Sequence, residues 1–266
     1  MTAQPAGTSA SASAGIGRWR LEWLRLMRTR RWIALVIVFL LVGFGDPLLT
    51  RYLGALLTGA SNTSYIHITV TKPQPSDGMI SYFSNITTVG TLVVVVVAGL
   101  AFAVRAIPPL AVLYLTHIPS RAALLVPRLA IVSVAALAAC GLGSAAAAYE
   151  TSILLGTPAP GATAAGVAVA CLGTLLAVSV TFAATAFVAS QVAAIAVALV
   201  AVLVIVPLSG LIPGLASIGP AAFLNLPAVL QNAAWTTDDW WATAITIGLI
   251  ALLVAAGFQR ARRWEL

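Results

Sequence analysis

Charge is scarce in this chain. Only 8% of its 266 residues are charged, and lysine occurs once, at Lys72. A soluble domain carries roughly 25% charged residues, so a water-facing surface of ordinary composition is excluded. With 61% of residues hydrophobic, the chain belongs to the membrane class. The single lysine also excludes a P-loop, whose lysine must follow a Gly-x-x-x-x-Gly run to reach the phosphates; Lys72 is followed by Pro73. Histidine is limited to His67 and His117, which are expected on opposite sides of the membrane. No His-Glu-x-x-His or Gly-x-Ser-x-Gly motif occurs. Cys140 and Cys171 each sit in an apolar run, without metal-ligand spacing, and read as packing residues. The expectation is a chain with no enzymatic site, metal or cofactor of its own. A net charge of +7 does not suggest nucleic acid, because the basic residues cluster between apolar runs, as orientation signals do.

What the sequence does have is a basic, tryptophan-bearing stretch, Arg18 to Trp32, holding six of the fourteen basic residues. On a helical wheel Trp19, Trp23, Leu26 and Met27 fall on one side, and Arg18, Glu22, Arg25, Arg28 and Thr29 on the other. That split suits a helix lying at the headgroup level of a bilayer, over 18–31. Residues 1–17, rich in Ala, Ser, Thr and Gly and uncharged, read as a disordered tail.

The remainder predicts a single all-α, polytopic domain over 18–266. Six spans are expected at about 32–53, 83–104, 129–149, 164–187, 192–207 and 240–258, each near the ~20 residues that cross a bilayer. Between the first two lies a polar outer excursion, in which His67 to Thr71 alternates like a short strand. Between the second and third lies the longest inner connection, Arg105 to Arg128, where Ser120 is placed to cap a helix starting near Arg121. From Leu208 to Asp239 the chain is apolar but broken by three glycines and three prolines. Both a seventh span and a re-entrant outer piece fit that composition. Six spans keep Arg260, Arg262 and Arg263 on the side of the N-terminal cluster, and then twelve of the fourteen basic residues lie inside. Six spans are therefore expected, with both termini cytoplasmic and the chain in the cytoplasmic membrane.

The centres of the spans are almost free of charge. That argues against a proton relay and against charged cargo crossing on fixed counter-charges. Asp46 is expected near the outer interface, paired locally with Arg51, and Glu150 at the outer end of the third span. These three are the candidate outer-side residues.

The order of these features resembles the permease subunit of type-2 ATP-binding-cassette transporters. The resemblance is carried by Arg18–Trp32 entering span one and by Pro47-Leu48-Leu49-Thr50-Arg51-Tyr52-Leu53 at its end. It continues with Leu115-Thr116-His117-Ile118-Pro119-Ser120-Arg121 between spans two and three, and Ala148-Tyr149-Glu150 closing span three. The Gly/Pro-broken segment before the last span and the basic Arg260-Arg262-Arg263-Trp264-Glu265-Leu266 tail complete it. The resemblance implies a dimer with an identical or related second permease, clasped by two cytoplasmic ATPase subunits that bind the ATP and Mg. It implies export of a lipophilic or amphiphilic substrate. Trp19, Trp23, Arg25 and Arg28 on the N-terminal helix, and His117, Pro119, Ser120 and Arg121 on the inner connection, would couple to the ATPase. In one place the chain departs from the pattern: relatives carry acidic residues just after span two, where this chain has Arg105-Ala106-Ile107-Pro108-Pro109. A membrane sensor or anchor subunit is the alternative reading.

Overall fold

The structure, a computed structural model, describes residues 9–60, 72–103 and 121–263. Among these residues it is all-α. Six helical stretches are long and apolar enough to cross a membrane, because at 1.5 Å per residue about 20 residues traverse the ~30 Å hydrocarbon layer. The chain is a multi-span membrane protein.

Helix α1 (Ser9–Thr29) precedes α2 (Arg31–Ala60). They are separated by Arg30 alone, whose backbone is left-handed at φ 53°, a conformation that costs a non-glycine residue roughly 1 kcal/mol or more. The break is therefore sharp. Helix α3 (Pro75–Asn85) passes through a π-turn (Ile86–Gly90) into α4 (Thr91–Phe102), and together they form the second span. Helix α5 (Arg121–Leu154) is the third span and α6 (Pro160–Phe187) the fourth. The fifth begins as α7 (Gln191–Val200) and continues through a π-turn to Leu211. A short helix α8 (Pro220–Val229) precedes the last span, α9 (Thr237–Arg262).

Several boundaries differ from the sequence reading. Helical structure begins at Ser9, inside the expected tail, where repeated alanines favour helix. Helix α2 continues past Leu53 to Ala60, and α3 starts at Pro75, eight residues before the expected Phe83. The first extension is apolar; the second is opened by Pro75, which fits a first position because the missing N–H has no partner to lose there, and by a capping box between Gln74 and Asp77. Helix α5 runs unbroken from Arg121, so the expected short helix before span three is part of that span. Pro127 lies inside it. The expected strand at residues 67–71, with His67, lies outside the described residues. The Leu208–Asp239 segment holds no seventh span: α8 has 10 residues, about 15 Å of helix. It packs instead on α6 and α9 through Phe223, Leu226 and Leu230 against Val169 and Ala242.

Association of helices in lipid relies on close packing and on interhelical hydrogen bonds. The crossing of α2 and α5 uses both. Gly43 and Gly143 meet there, and a Cβ on Gly143 would lie 2.6 Å from the Phe39 carbonyl oxygen and 2.9 Å from the Tyr82 hydroxyl. That hydroxyl lies 3.1 Å from Ser144 Oγ, so α3 is tied into the same crossing. Helix α6 is the other axis. Its Phe182 packs edge-on against Phe102 of α4 and tilted against Phe258 of α9, and Gly257 leaves the room for that ring.

Gly143→Val should therefore separate α2 from α5. The expected result is a fall of roughly 5 °C or more in the melting temperature of the purified protein. Gly141, which has nothing within 4 Å of an added Cβ, should accept alanine with a change of about 1 °C or less. A thermal-shift comparison of the two variants checks this.

Candidate functional site

Polar side chains in this bundle gather in two places. The first is one end of the bundle, where α1, the start of α2, the end of α4 and the start of α5 converge. Glu22 is the only acid in the first 45 residues. On α1 it faces Arg128, one turn into the apolar run of α5. The guanidinium donates from Nε to Glu22 Oε2 at 3.1 Å and from Nη2 to Oε1 at 2.6 Å. This is the bidentate fork that gives Arg–carboxylate pairs their strength and fixed orientation. Arg128 is 2% exposed and Glu22 12%. Arg25, one turn along α1, stands 3.9 Å from the same carboxylate. Beside them Arg31 Nη1 donates to the Leu100 carbonyl at 2.7 Å, tying the start of α2 to the last turn of α4. Arg260 at the end of α9 stacks over the Phe187 ring at the end of α6. The ends of five spans and helix α1 are thus fastened by arginines.

The face that α1 turns to the bundle differs from the simple wheel. Leu26 is buried with Glu22, while Trp19 and Trp23 are each almost half exposed. Burying the carboxylate requires its counter-ion, and Arg128 on α5 provides one, so the polar edge of α1 turns inward and its tryptophans outward. Exposed tryptophan on a helix at the bundle end suits the headgroup level. Arg28 is exposed, and Arg121 opens α5. His117, Pro119 and Ser120 lie outside the described residues.

The second place is in the middle of α2, and it corrects the expectation for Asp46. Asp46 lies at the midpoint of the helix and in the outer third of the span Arg31–Leu53, as expected; its exposure and its partner differ. Its side chain is buried, at 5% exposure. The carboxylate does not pair with Arg51: five residues along an α-helix place two side chains about 140° apart, and Arg51 points outward, exposed. Asn85 of α3 takes that role, its Nδ2 donating to Asp46 Oδ1 at 2.8 Å. The Thr50 hydroxyl donates to the Asp46 backbone carbonyl at 2.8 Å. Glu150, the third outer-side candidate, is partly exposed near the far end of α5, away from the other two in sequence.

Two residues that the sequence reading did not hold as site candidates carry these places: Arg128, read only as the end of the inner connection, and Asn85. The lone acid of the basic stretch hinted at the first, since it needed a partner in the chain's apolar body. Asn85 had no comparable hint. Both cysteines are free; Cys140 is buried and Cys171 partly so. Among the described residues no three His, Cys, Asp or Glu side chains gather where a metal ion would fit. Compared with protein-family models and with curated proteins, the chain finds no match in either, so the functional reading stands on composition and geometry.

Removing Arg128 should be far more damaging than a surface charge change. Arg128→Ala leaves Glu22 buried without its principal counter-charge, and breaking such a pair costs about 3–5 kcal/mol. Combining Glu22→Ala with it should recover part of the loss. Thermal unfolding of the two single variants and the double variant measures the coupling, and strictly additive effects would rule the pair out as a fastening.

Proposed function

We propose that this chain is the membrane-spanning permease subunit of an exporter driven by a separate cytoplasmic ATPase, and that its cargo is lipophilic or amphiphilic. The observation that carries this reading is the fastening of α1 to α5 by the buried Glu22–Arg128 fork. A helix that only marked orientation would have no need of a bidentate, desolvated bond to a span. One that transmits displacement does, because a loose joint would absorb the motion. The left-handed residue at Arg30 separates α1 from α2, so displacement of α1 passes into α5 through the ion pair.

Composition supports the same reading. Without a P-loop lysine the chain takes its energy from another subunit, and that subunit holds the ATP and Mg. The ends gathered by Arg31, Arg128 and Arg260 are the basic end of the bundle, which the positive-inside tendency assigns to the cytoplasm. The exposed Arg28 and the connection before Arg121, with His117, Pro119 and Ser120, lie in sequence beside that end and form the docking surface for the ATPase. The six-span arrangement, with α8 before the last span, agrees with the order of features that marks the permease resemblance. The functional unit is a pair of permeases, identical or related, on two ATPase subunits, in the cytoplasmic membrane.

In the mechanism, ATP binding draws the two ATPase subunits together. Each pushes on α1 and the neighbouring connection. The ion pair carries the push into α5, which moves with α2 across their glycine crossing, and the interface between the two permeases changes access.

Co-expression with ATPase subunits from the same gene neighbourhood tests the partner. The expected result is a stable complex that moves a fluorescent amphiphile in vesicles only with ATP. Hydrolysis without movement would favour a sensor or anchor subunit. Arg28→Glu should reduce recovery of the ATPase at least several-fold while leaving the melting temperature of the permease unchanged, because the side chain is exposed.

A further inference from the structure

We infer that Asp46 and Asn85 form a binding point for the ammonium group of a lipophilic amine. Asp46 lies fifteen residues beyond Arg31 in α2, about 22 Å along the helix axis and so within the depth of a ~30 Å hydrocarbon layer. Its Oδ1 accepts from Asn85, but Oδ2 is buried with no hydrogen-bond partner. Such a group is expensive inside a membrane and marks a functional place. Arg51 is turned away round the helix, and the Thr50 hydroxyl is engaged with the Asp46 backbone. What the carboxyl lacks is a cationic donor.

Asn85 indicates where that donor comes from. Its amide nitrogen is committed to Asp46, which leaves its Oδ1 as an acceptor, and the side chain is exposed at the lateral face of the bundle. Ser84 and Thr88 are exposed beside it, so a polar patch interrupts a face otherwise lined by residues such as Leu49 and Val89. The π-turn begins at the next residue, Ile86, and π-turns recur at functional places in helices. Two oxygens are too few to replace the shell of a calcium or magnesium ion, which needs about six or more ligands. They can accept two of the three N–H donors of one primary ammonium group. The surrounding leucine and valine side chains suit an apolar body. The ammonium enters past Asn85, and the Asp46 carboxyl turns towards that opening to present Oδ2.

This deepens the exporter reading by naming the charge class of the cargo, yet it is testable on the permease alone. The full chain in lipid nanodiscs is titrated with dansylcadaverine, with its N-acetyl derivative (the same fluorophore and chain without the charge), and with a trimethylammonium analogue that lacks N–H donors. The expected result is at least ten-fold tighter binding of the primary amine than of either analogue, in line with a hydrogen bond to a charged group. Asp46→Asn should abolish that preference while the protein elutes as a single species with a melting temperature at or above that of the parent. Asn85→Ala should reduce it several-fold. Equal affinity for the three probes would overturn the inference. So would a preference that survives in Asp46→Asn, or a change in oligomeric state in that variant with no amine preference in the parent, which would give Asp46 to a contact between copies. Failure to bind an ATPase would overturn the exporter reading and leave the amine site standing.

Discussion

Nothing in a bilayer core can hydrogen-bond to a stray polar group, and this constraint arranges the whole chain. It forces helices, whose backbone groups pair internally, and it sends charge to the helix ends. Several hydroxyls within the spans are satisfied locally. Thr174, Thr181 and Thr246 each donate to the carbonyl four residues earlier, at 2.9, 2.7 and 2.8 Å, so they fill space between helices without needing a partner across the bundle. Tyr82 and Ser144 satisfy each other across α3 and α5. Asp46 Oδ2 is the carboxylate oxygen buried without a partner among the described residues, which is why it invites a functional explanation.

At the basic end the same constraint takes a different form. Arg128 lies buried one turn into the span, and Glu22 meets it there. An apolar pair of similar size could hold α1 as tightly, since buried ion pairs are seldom more stabilising than packed hydrocarbon. What the fork adds is a defined direction and register, because two parallel N–H···O bonds fix α1 in rotation as well as position. A helix meant to carry displacement gains from that rigidity. The opposite end is built more lightly: α8 rests on a small apolar cluster, and Gln231 bridges it to the Ala162 carbonyl at 3.2 Å.

The number of spans and the interfacial helix were legible because each depends on composition over a window of residues. Asp239 at the third position after Thr236 could even be read as a capping box, and the structure closes it, with Thr236 N donating to the Asp239 carboxylate at 2.8 Å. The two polar places were not legible, because they depend on pairs separated by 106 and 39 residues, and no local pattern links such positions. The first span does end at Leu53; the miss at Asp46 was its partner, Asn85, which lies 39 residues away on another helix. The wheel for α1 did not say which edge turns inward; Leu26 and Glu22, from its two sides, face the bundle together, and the position of Arg128 was needed to decide that.

The central claim is that α1 and α5 move as one body when the ATPase acts. Spin labels at Leu21 on α1 and Val134 on α5, both exposed, report it directly in the assembled complex, with Cys140 and Cys171 replaced. The account predicts that the Leu21–Val134 distance stays within about 2 Å between the nucleotide-free and ATP-bound states, while the distance between the two copies of Leu21 changes by several ångströms, as in a rigid-body rearrangement. If α1 moves away from α5 while the two permeases keep their spacing, the ion pair is not a transmission joint and the account fails.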